Sequence, residues 1–230
     1  MNGYIKPYKF DKMNKKPKLH AIFFDFDGVI VDSNATKTEA FRSLFENYDQ
    51  DLVAEIIDYH RQHGGISRVE KIRYAHQHII KHHFSDEELK DWAAAYSELV
   101  MEKVIAIEWI DGAKEFLDKK QDRLPLFVIS GTPEDELQYI IERRKMSGYF
   151  QKILGSPIKK PDHVRNILLQ YRFNPECCVF VGDALTDLHT ADETGLHFIG
   201  VQGEVDFPIG TKVLPDCRGL DSAIKEHFTL

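Results

Sequence analysis

Short apolar runs alternate with helix-like patterns along the chain from residue 19 onward. The run at residues 19–24 is too short for a helix and is typical of a strand buried on both faces. The later apolar runs lie at residues 124–129, 152–154, 177–181 and 198–201. Helical patterns separate them, at residues 111–119, after Thr132 and Pro133, and at residues 161–170, and Thr132 is expected to cap the helix that follows it. The alternation predicts an α/β fold with a doubly wound parallel sheet.

Residues 35–108 interrupt this alternation, because they contain helical patterns and no convincing buried strand. Ser85 and Glu88 form a capping box before apolar residues that recur every three or four positions, which predicts one amphipathic helix. Three more helices are predicted around residues 41–45, 52–57 and 69–80. We therefore expect an all-α helical bundle at residues 35–108, inserted into a core domain of residues 19–34 and 109–230, after a basic leader at residues 1–18.

Composition and charge exclude several classes of protein. With 43% hydrophobic and 29% charged residues in 230, the chain is neither disordered nor fibrous. The net charge of -7 argues against nucleic acid as a partner, and no apolar run is long enough to span a membrane. Three cysteines and the lack of an apolar signal segment predict a cytoplasmic protein. The lysine-rich leader is interpreted as a solvated segment, with a partner-binding arm as the alternative.

Candidate chemistry lies where the predicted strands end. Asp25 and Asp27 follow the first strand, and residues two apart on an extended chain point the same way. Gly28 allows the backbone to turn sharply just beyond them. Two carboxylates held so close repel each other, so this arrangement favours a divalent cation or a shared proton. Taken alone, the same pattern also suits an ordinary turn.

The other strand ends carry a hydroxyl, a lysine and two further acids. Ser130 and Gly131 precede a helix start, which is a ready anion site, although Ser130 could simply cap the helix. Lys160 stands before a proline that can open the next helix, or it is one of two solvated lysines. Asp183 and Asp187 suit a metal that prefers oxygen ligands, or serve as a helix cap and a first-turn acid.

In this order, the four motifs resemble those of the haloacid dehalogenase superfamily over residues 19–227. The resemblance implies a Rossmann-like core and Mg²⁺ as cofactor. It makes Asp25 the nucleophile that forms an aspartyl phosphate, and Asp27 the general acid and base, a role that calls for a raised pKa. Mg²⁺ would be held by the Asp25 carboxylate, the Asp27 backbone carbonyl and Asp183, while Asp187 would support the site and contact Lys160.

The same resemblance assigns phosphate binding to Ser130, the Gly131 N–H and Lys160, which is preferred over Lys159 because Lys-Pro is the family pattern. An acid two residues after the nucleophile is needed by phosphatases and phosphomutases, whereas dehalogenases do without it, so dehalogenation is disfavoured. Phosphonate cleavage through a lysine Schiff base is a further alternative, although no particular lysine of the insertion is identified as the amine.

By its position, the helical segment matches the C1 cap of the superfamily, where substrate specificity is expected. His63, Gly64 and Arg68 belong to a stretch that resembles the Gly-Val-Ser-Arg loop of β-phosphoglucomutases, with Arg68 able to grip an anionic group. The alternative is a helix turn in which Ser67 caps and Arg68 faces solvent. Lys37 stands where those mutases have a histidine, and it either contacts substrate or faces solvent. The cap histidines are interpreted as a solvated helix face, with a zinc site disfavoured.

The sequence therefore predicts a Mg²⁺-dependent phosphatase of a small phosphorylated metabolite, such as a sugar phosphate or phospho-acid. A β-phosphoglucomutase-like phosphomutase and a catalytically silent binding module are the alternatives. No nucleic acid or membrane partner is expected, and the oligomeric state stays open between monomer and dimer.

Overall fold

A six-stranded parallel sheet forms the centre of the computed structural model, which describes residues 16–83 and 85–229; most of the predicted leader therefore lies outside the described residues. The strands are β1 (Ala21–Phe24), β2 (Leu126–Pro133), β3 (Lys152–Ser156), β4 (Cys178–Gly182), β5 (His197–Val201) and β6 (Val213–Leu214). Their order is β3-β2-β1-β4-β5-β6. The strands β2 and β3 are added on one side of β1 and the later strands on the other, so the order changes direction between β1 and β4. Ligands of such sheets bind at this switch point, at the carboxyl ends of the strands.

Alternating side chains of the central strands fill one core on each face of the sheet. Phe24 lies in the larger cluster, and Phe23 lies in the smaller one. The Phe23 ring of β1 stacks on Phe127 of β2 at 5.1 Å and lies 6.5 Å from Phe180 of β4. Both residues are the register partners of Phe23, so these aromatic contacts stabilise the pairing of the three strands. The helices of the core are α5 (Ala113–Lys120), α6 (Glu134–Arg143), α7 (Lys160–Tyr171), α8 (Leu185–Thr194) and α9 (Leu220–His227). The predicted α/β fold is confirmed; the two-residue β6 was not predicted.

Helices alone make up the insertion between β1 and α5 within the described residues. They are α1 (Asn34–Leu44), α2 (Gln50–Gln62), α3 (Arg68–Tyr74), a π-helical continuation of α3 (Ala75–Ile80), and α4 (Asp86–Ala106). The predicted capping box is present, with the Ser85 N–H donating to Glu88 Oε2 at 2.9 Å and the Glu88 N–H donating to Ser85 Oγ at 3.2 Å. Phe41 packs on Tyr96 at 4.7 Å, which joins α1 to α4.

The environments of two histidines and of Thr132 differ from those expected from the sequence. His60 and His76 are buried rather than solvated, because their rings pack against Phe41 at 4.2 Å and Trp92 at 4.6 Å. Thr132 does not cap α6, because β2 continues to Pro133, which occupies the position before the helix. Among the described residues, no helix has both the length and the apolar character needed to cross a membrane.

Arg144 anchors the point where the chain leaves the helical insertion. Its Nη1 donates to the carbonyls of Val104, Ile105 and Ile107, at 2.8, 2.8 and 2.7 Å. These carbonyls end α4 and have no helical partner of their own, so the guanidinium supplies what the helix terminus lacks.

We expect Arg144→Ala to lower the free energy of unfolding by about 1–3 kcal/mol, because hydrogen bonds from a charged group to three helix-end carbonyls are lost. Chemical denaturation measures this change. Arg143→Ala is the matched control, because Arg143 is exposed and bonds only the Tyr139 hydroxyl and Glu102 among the described residues. Equal losses for both variants would contradict the anchoring role.

Candidate active site

Asp25 lies at the switch point of the sheet, directly after β1. Its side chain is buried, and the N–H of Phe26 donates to Oδ1 at 2.7 Å. Asp183 and Asp187 approach from the next strand, because Asp183 follows β4 and Asp187 lies in the first turn of α8. The carboxylate oxygens of the three residues lie within 4.8 Å of one another. The parallel sheet thus gathers acids that are more than 150 residues apart in sequence.

Lys160 is the cation of this cluster. It enters from the start of α7, and its Nζ lies 2.8 Å from Asp25 Oδ2 and 2.6 Å from Asp187 Oδ1. The neighbouring Lys159 is exposed, so only the second lysine of the pair reaches the site. Although burial alone would lower the pKa of Lys160, the two carboxylates raise it, and the side chain stays an ammonium.

One ammonium does not balance three buried acids. Burial raises the pKa of Asp25 to about 7, with Lys160 opposing this shift and the neighbouring carboxylates adding to it. Burial and the charge of Asp25 raise the pKa of Asp183 well above its usual range, although the Asn34 amide donates to Asp183 Oδ2 at 2.6 Å. Carboxylates whose ionisation is opposed by burial and by one another fit a divalent cation that prefers oxygen ligands.

Asp27 occupies a different electrostatic environment two residues away. Its carboxylate accepts hydrogen bonds from Ser33 Oγ at 2.5 Å, Lys37 Nζ at 2.5 Å and Thr132 Oγ1 at 3.1 Å. Burial favours the neutral acid, but the charge and hydrogen bond of Lys37, together with the hydrogen bonds from Ser33 and Thr132, lower the pKa of Asp27. The raised pKa expected from the sequence is therefore wrong for this structure. Lys37 does not face solvent, since its Nζ also donates to Thr132 Oγ1 at 2.8 Å.

Ser130 and Gly131 lie inside β2 rather than after it, because that strand continues to Pro133. The Ser130 hydroxyl is buried, accepts from the Thr132 N–H at 3.1 Å and lies 3.5 Å from Asp27 Oδ2. Its hydroxyl therefore faces the site and does not cap α6.

The loop between α2 and α3 presses on this part of the core. Thr186 Oγ1 donates to the Gly64 carbonyl at 2.7 Å, and a Cβ on Gly131 would overlap the Gly65 carbonyl. A Cβ on Gly65 would overlap Thr186 Oγ1 and lie 3.1 Å from Lys160 Nζ. At this loop, the backbone of the helical insertion therefore lies directly against the core.

The three insertion residues singled out from the sequence have different environments. His63 stacks on Tyr59 at 3.9 Å and does not line the pocket above Asp25, whereas Gly64 does. Arg68 also lines the pocket, but its guanidinium lies 2.8 Å from Glu136 Oε2 of α6 and donates to Ser97 Oγ at 2.7 Å. The alternative with Arg68 in solvent is therefore wrong, although Ser67 does cap α3.

Sequence reasoning missed several residues of this pocket. They include Asn34, Phe41, His60, Lys71, Tyr96, Thr132 and Glu204. Two of them had a usable signal: Asn34 follows directly on Ser33, and Lys71 stands three positions after Arg68, on the same face of a helix. The others enter the pocket only through tertiary packing.

A doubly wound parallel sheet with buried carboxylates at its switch point is a Rossmann-like α/β core with an acidic site. A family model described as haloacid dehalogenase-like hydrolase matches residues 22–201. The chain belongs to that family.

Comparisons with individual proteins agree with this assignment. The chain is 27% identical over 191 residues to the phosphorylated carbohydrates phosphatase of Thermotoga maritima, covering 79% of this chain and 84% of that one. It is 26% identical to phosphoglycolate phosphatase 1 of Pseudomonas aeruginosa over 76% of this chain and 66% of that one.

Solved structures share the fold. A β-phosphoglucomutase of Clostridium difficile superposes with a TM-score of 0.73 at 20% identity, over 91% of this chain and 96% of that one. A HAD-hydrolase of Bacillus subtilis bound to magnesium superposes with a TM-score of 0.67 at 18% identity, over 90% and 99%.

We expect Gly65→Ala to lower the kcat/KM for phosphomonoesters at least about tenfold, because an added Cβ displaces the loop from Thr186 and Lys160 and widens the closed site. Steady-state phosphate release measures the effect. Gly210→Ala is the matched control: it shares a positive φ but no atom lies within 4 Å of its Cβ. An equal loss in both variants would mean that backbone strain, and not the contact, is responsible.

Proposed function

We propose that this protein is a Mg²⁺-dependent phosphatase that hydrolyses a small phosphorylated metabolite through a phosphorylated Asp25. The observation that carries the proposal is the buried cluster in which the Asp25 carboxylate touches Lys160 and lies beside Asp183 and Asp187. The family assignment and the phosphatase names of both curated relatives support the same class of reaction, hydrolysis of phosphoric monoesters.

In the first step, a carboxylate oxygen of Asp25 attacks phosphorus, and the bond from phosphorus to the alcohol oxygen breaks. The departing oxygen takes a proton from Asp27, so a neutral alcohol leaves. A phosphate dianion beside Asp27 raises the pKa of that carboxyl by repulsion, which offsets the opposite effect of Lys37. Ser130 and the Gly131 N–H hold the phosphoryl oxygens, and Lys160 neutralises negative charge at the attacking carboxylate.

In the second step, the ionised Asp27 takes a proton from water as that water attacks phosphorus. The bond between phosphorus and Asp25 breaks, so inorganic phosphate leaves and the carboxylate is restored. Hydrogen bonds from Ser33, Lys37 and Thr132 hold the Asp27 carboxylate in place for both transfers.

The residues present fit a divalent cation, as the raised pKa values of Asp25 and Asp183 indicate. Asp25, Asp183 and the backbone carbonyl of Asp27 would hold Mg²⁺, with Asp187 keeping Lys160 in position. When bound, the ion supplies positive charge that offsets the repulsion between the carboxylates and the phosphate. The magnesium-bound neighbour supports the choice of metal.

The proposal extends to the organisation and location of the chain. Residues 35–108 would act as a cap that excludes water and selects the leaving group, while residues 19–34 and 109–230 would carry the chemistry. Cys177, Cys178 and Cys217 are all free thiols, which is in keeping with a cytoplasmic enzyme.

We expect wild-type protein with Mg²⁺ to release phosphate from sugar phosphates or phospho-acids, and Asp25→Asn to lower kcat by roughly 10³-fold or more, because the nucleophile is lost. A colorimetric phosphate assay over a substrate panel measures both. Asp122→Asn, in an exposed turn, is the matched control and should retain activity. Turnover that requires a sugar bisphosphate activator would instead identify a phosphomutase, and full activity of Asp25→Asn would contradict the mechanism.

We expect Mg²⁺ to raise the melting temperature of the wild type, because a ligand that binds only the folded state stabilises it. Asp183→Asn should lose most of that shift, while Asp122→Asn should keep it. Differential scanning fluorimetry with and without a chelator provides the measurement. An undiminished Mg²⁺ shift in Asp183→Asn would rule out this ligand set.

A further inference from the structure

The pocket above Asp25 is lined by several cations of the helical insertion, and most of them are already paired. Lys37 lies 2.5 Å from Asp27, Arg61 lies 3.5 Å from Glu204, and Arg68 lies 2.8 Å from Glu136. In each case the partner is a carboxylate of the protein itself. None of these three cations needs a ligand to balance its charge.

Lys71 is the exception. It lines the same pocket from α3, and only 5% of its surface is exposed. Its Nζ donates to the His60 carbonyl at 3.0 Å and lies 3.3 Å from His60 Nδ1. No Asp or Glu oxygen lies within 4.0 Å of it among residues 16–83 and 85–229. An ammonium has three donors, and both of these contacts are to neutral groups.

No carboxylate neutralises Lys71 by direct contact. Burial and the positive Lys37 lower the pKa of Lys71 to about 7, and the more distant Glu204, Asp27 and Asp183 oppose this shift without forming an ion pair. Burial and Lys71 lower the pKa of His60 to about 2, so that ring stays neutral and offers no opposite charge. A buried ion without a counter-ion is costly, and an anion delivered into the pocket removes that cost.

We propose that Lys71 binds a second anionic group of the substrate, a carboxylate or a further phosphate carried by the leaving alcohol. This inference rests on the proposed function, since it places the reacting phosphate at Asp25 and the rest of the molecule under the insertion. It narrows the substrate to phosphomonoesters with two anionic groups. A neutral polyol phosphate would leave Lys71 without a counter-ion in the closed pocket.

Binding to the Asp25→Asn protein tests the inference without turnover. Two matched pairs of probes differ only by the second anion: phosphoglycolate against 2-hydroxyethyl phosphate, and a hexose 1,6-bisphosphate against the hexose 1-phosphate. Isothermal titration at pH 7 with Mg²⁺ gives the dissociation constants. We expect the doubly anionic member of at least one pair to bind about tenfold or more tightly than its partner. The pair that responds distinguishes a carboxylate from a phosphate.

When Lys71→Gln is added to the Asp25→Asn protein, the ratio of the two dissociation constants in a pair should fall below about threefold. Lys103→Gln is the matched control: Lys103 is an exposed lysine of α4, so the ratio should not change. Lys71→Arg keeps the charge and should keep part of the preference. If neither pair shows a preference in the parent protein, or if the preference survives Lys71→Gln, the inference is overturned. The first of these results needs no folded Lys71 variant.

The two proposals fail separately. Asp25-dependent phosphate release with equal affinity for both members of each pair would overturn the role of Lys71 and leave the phosphatase intact. A strong Lys71-dependent preference without release from any ester would support the anion site and overturn the proposed hydrolysis.

Discussion

The buried ammonium of Lys160 is the interaction on which the rest of the site depends. It joins the carboxylate after β1 to the one in the first turn of α8, and it comes from a third element, α7. It opposes the rise in the pKa of Asp25 and Asp183 that burial and mutual repulsion cause, although both pKa values stay raised. The sheet brings these elements to one edge, and the positive charge of Lys160 reduces the repulsion between the carboxylates that meet there.

Asp25 and Asp27 each contact a lysine, yet their pKa values are shifted in opposite directions. Asp25 is buried among further acids, and its pKa is raised, whereas Asp27 faces Lys37 and the hydroxyls of Ser33 and Thr132, and its pKa is lowered. Residue type does not distinguish them; the charges around each one do. The same distinction applies to the cations, since Lys37 and Arg68 have acidic partners and Lys71 has neutral ones.

Much of the core was predictable from the sequence, because short apolar runs predict buried strands and parallel strands bring their carboxyl ends together. Asp25, Ser130, Lys160 and Asp183 were found in this way. The pocket above them was not, because its residues meet only when the helical insertion packs on the core: no local pattern links Arg68 to Glu136. Thr132 shows the same limit, since its hydroxyl bonds Asp27 instead of capping the next helix.

The contact between Gly65 and Gly131 fixes how closely the helical insertion approaches the core. Because the backbone of Gly65 lies against that of Gly131, the loop between α2 and α3 cannot move closer to β2 at this point. Under the proposed function, the leaving group would have to fit beneath the insertion while this loop stays in contact with Thr186. The glycine contact would then limit the length of substrate that the site accepts.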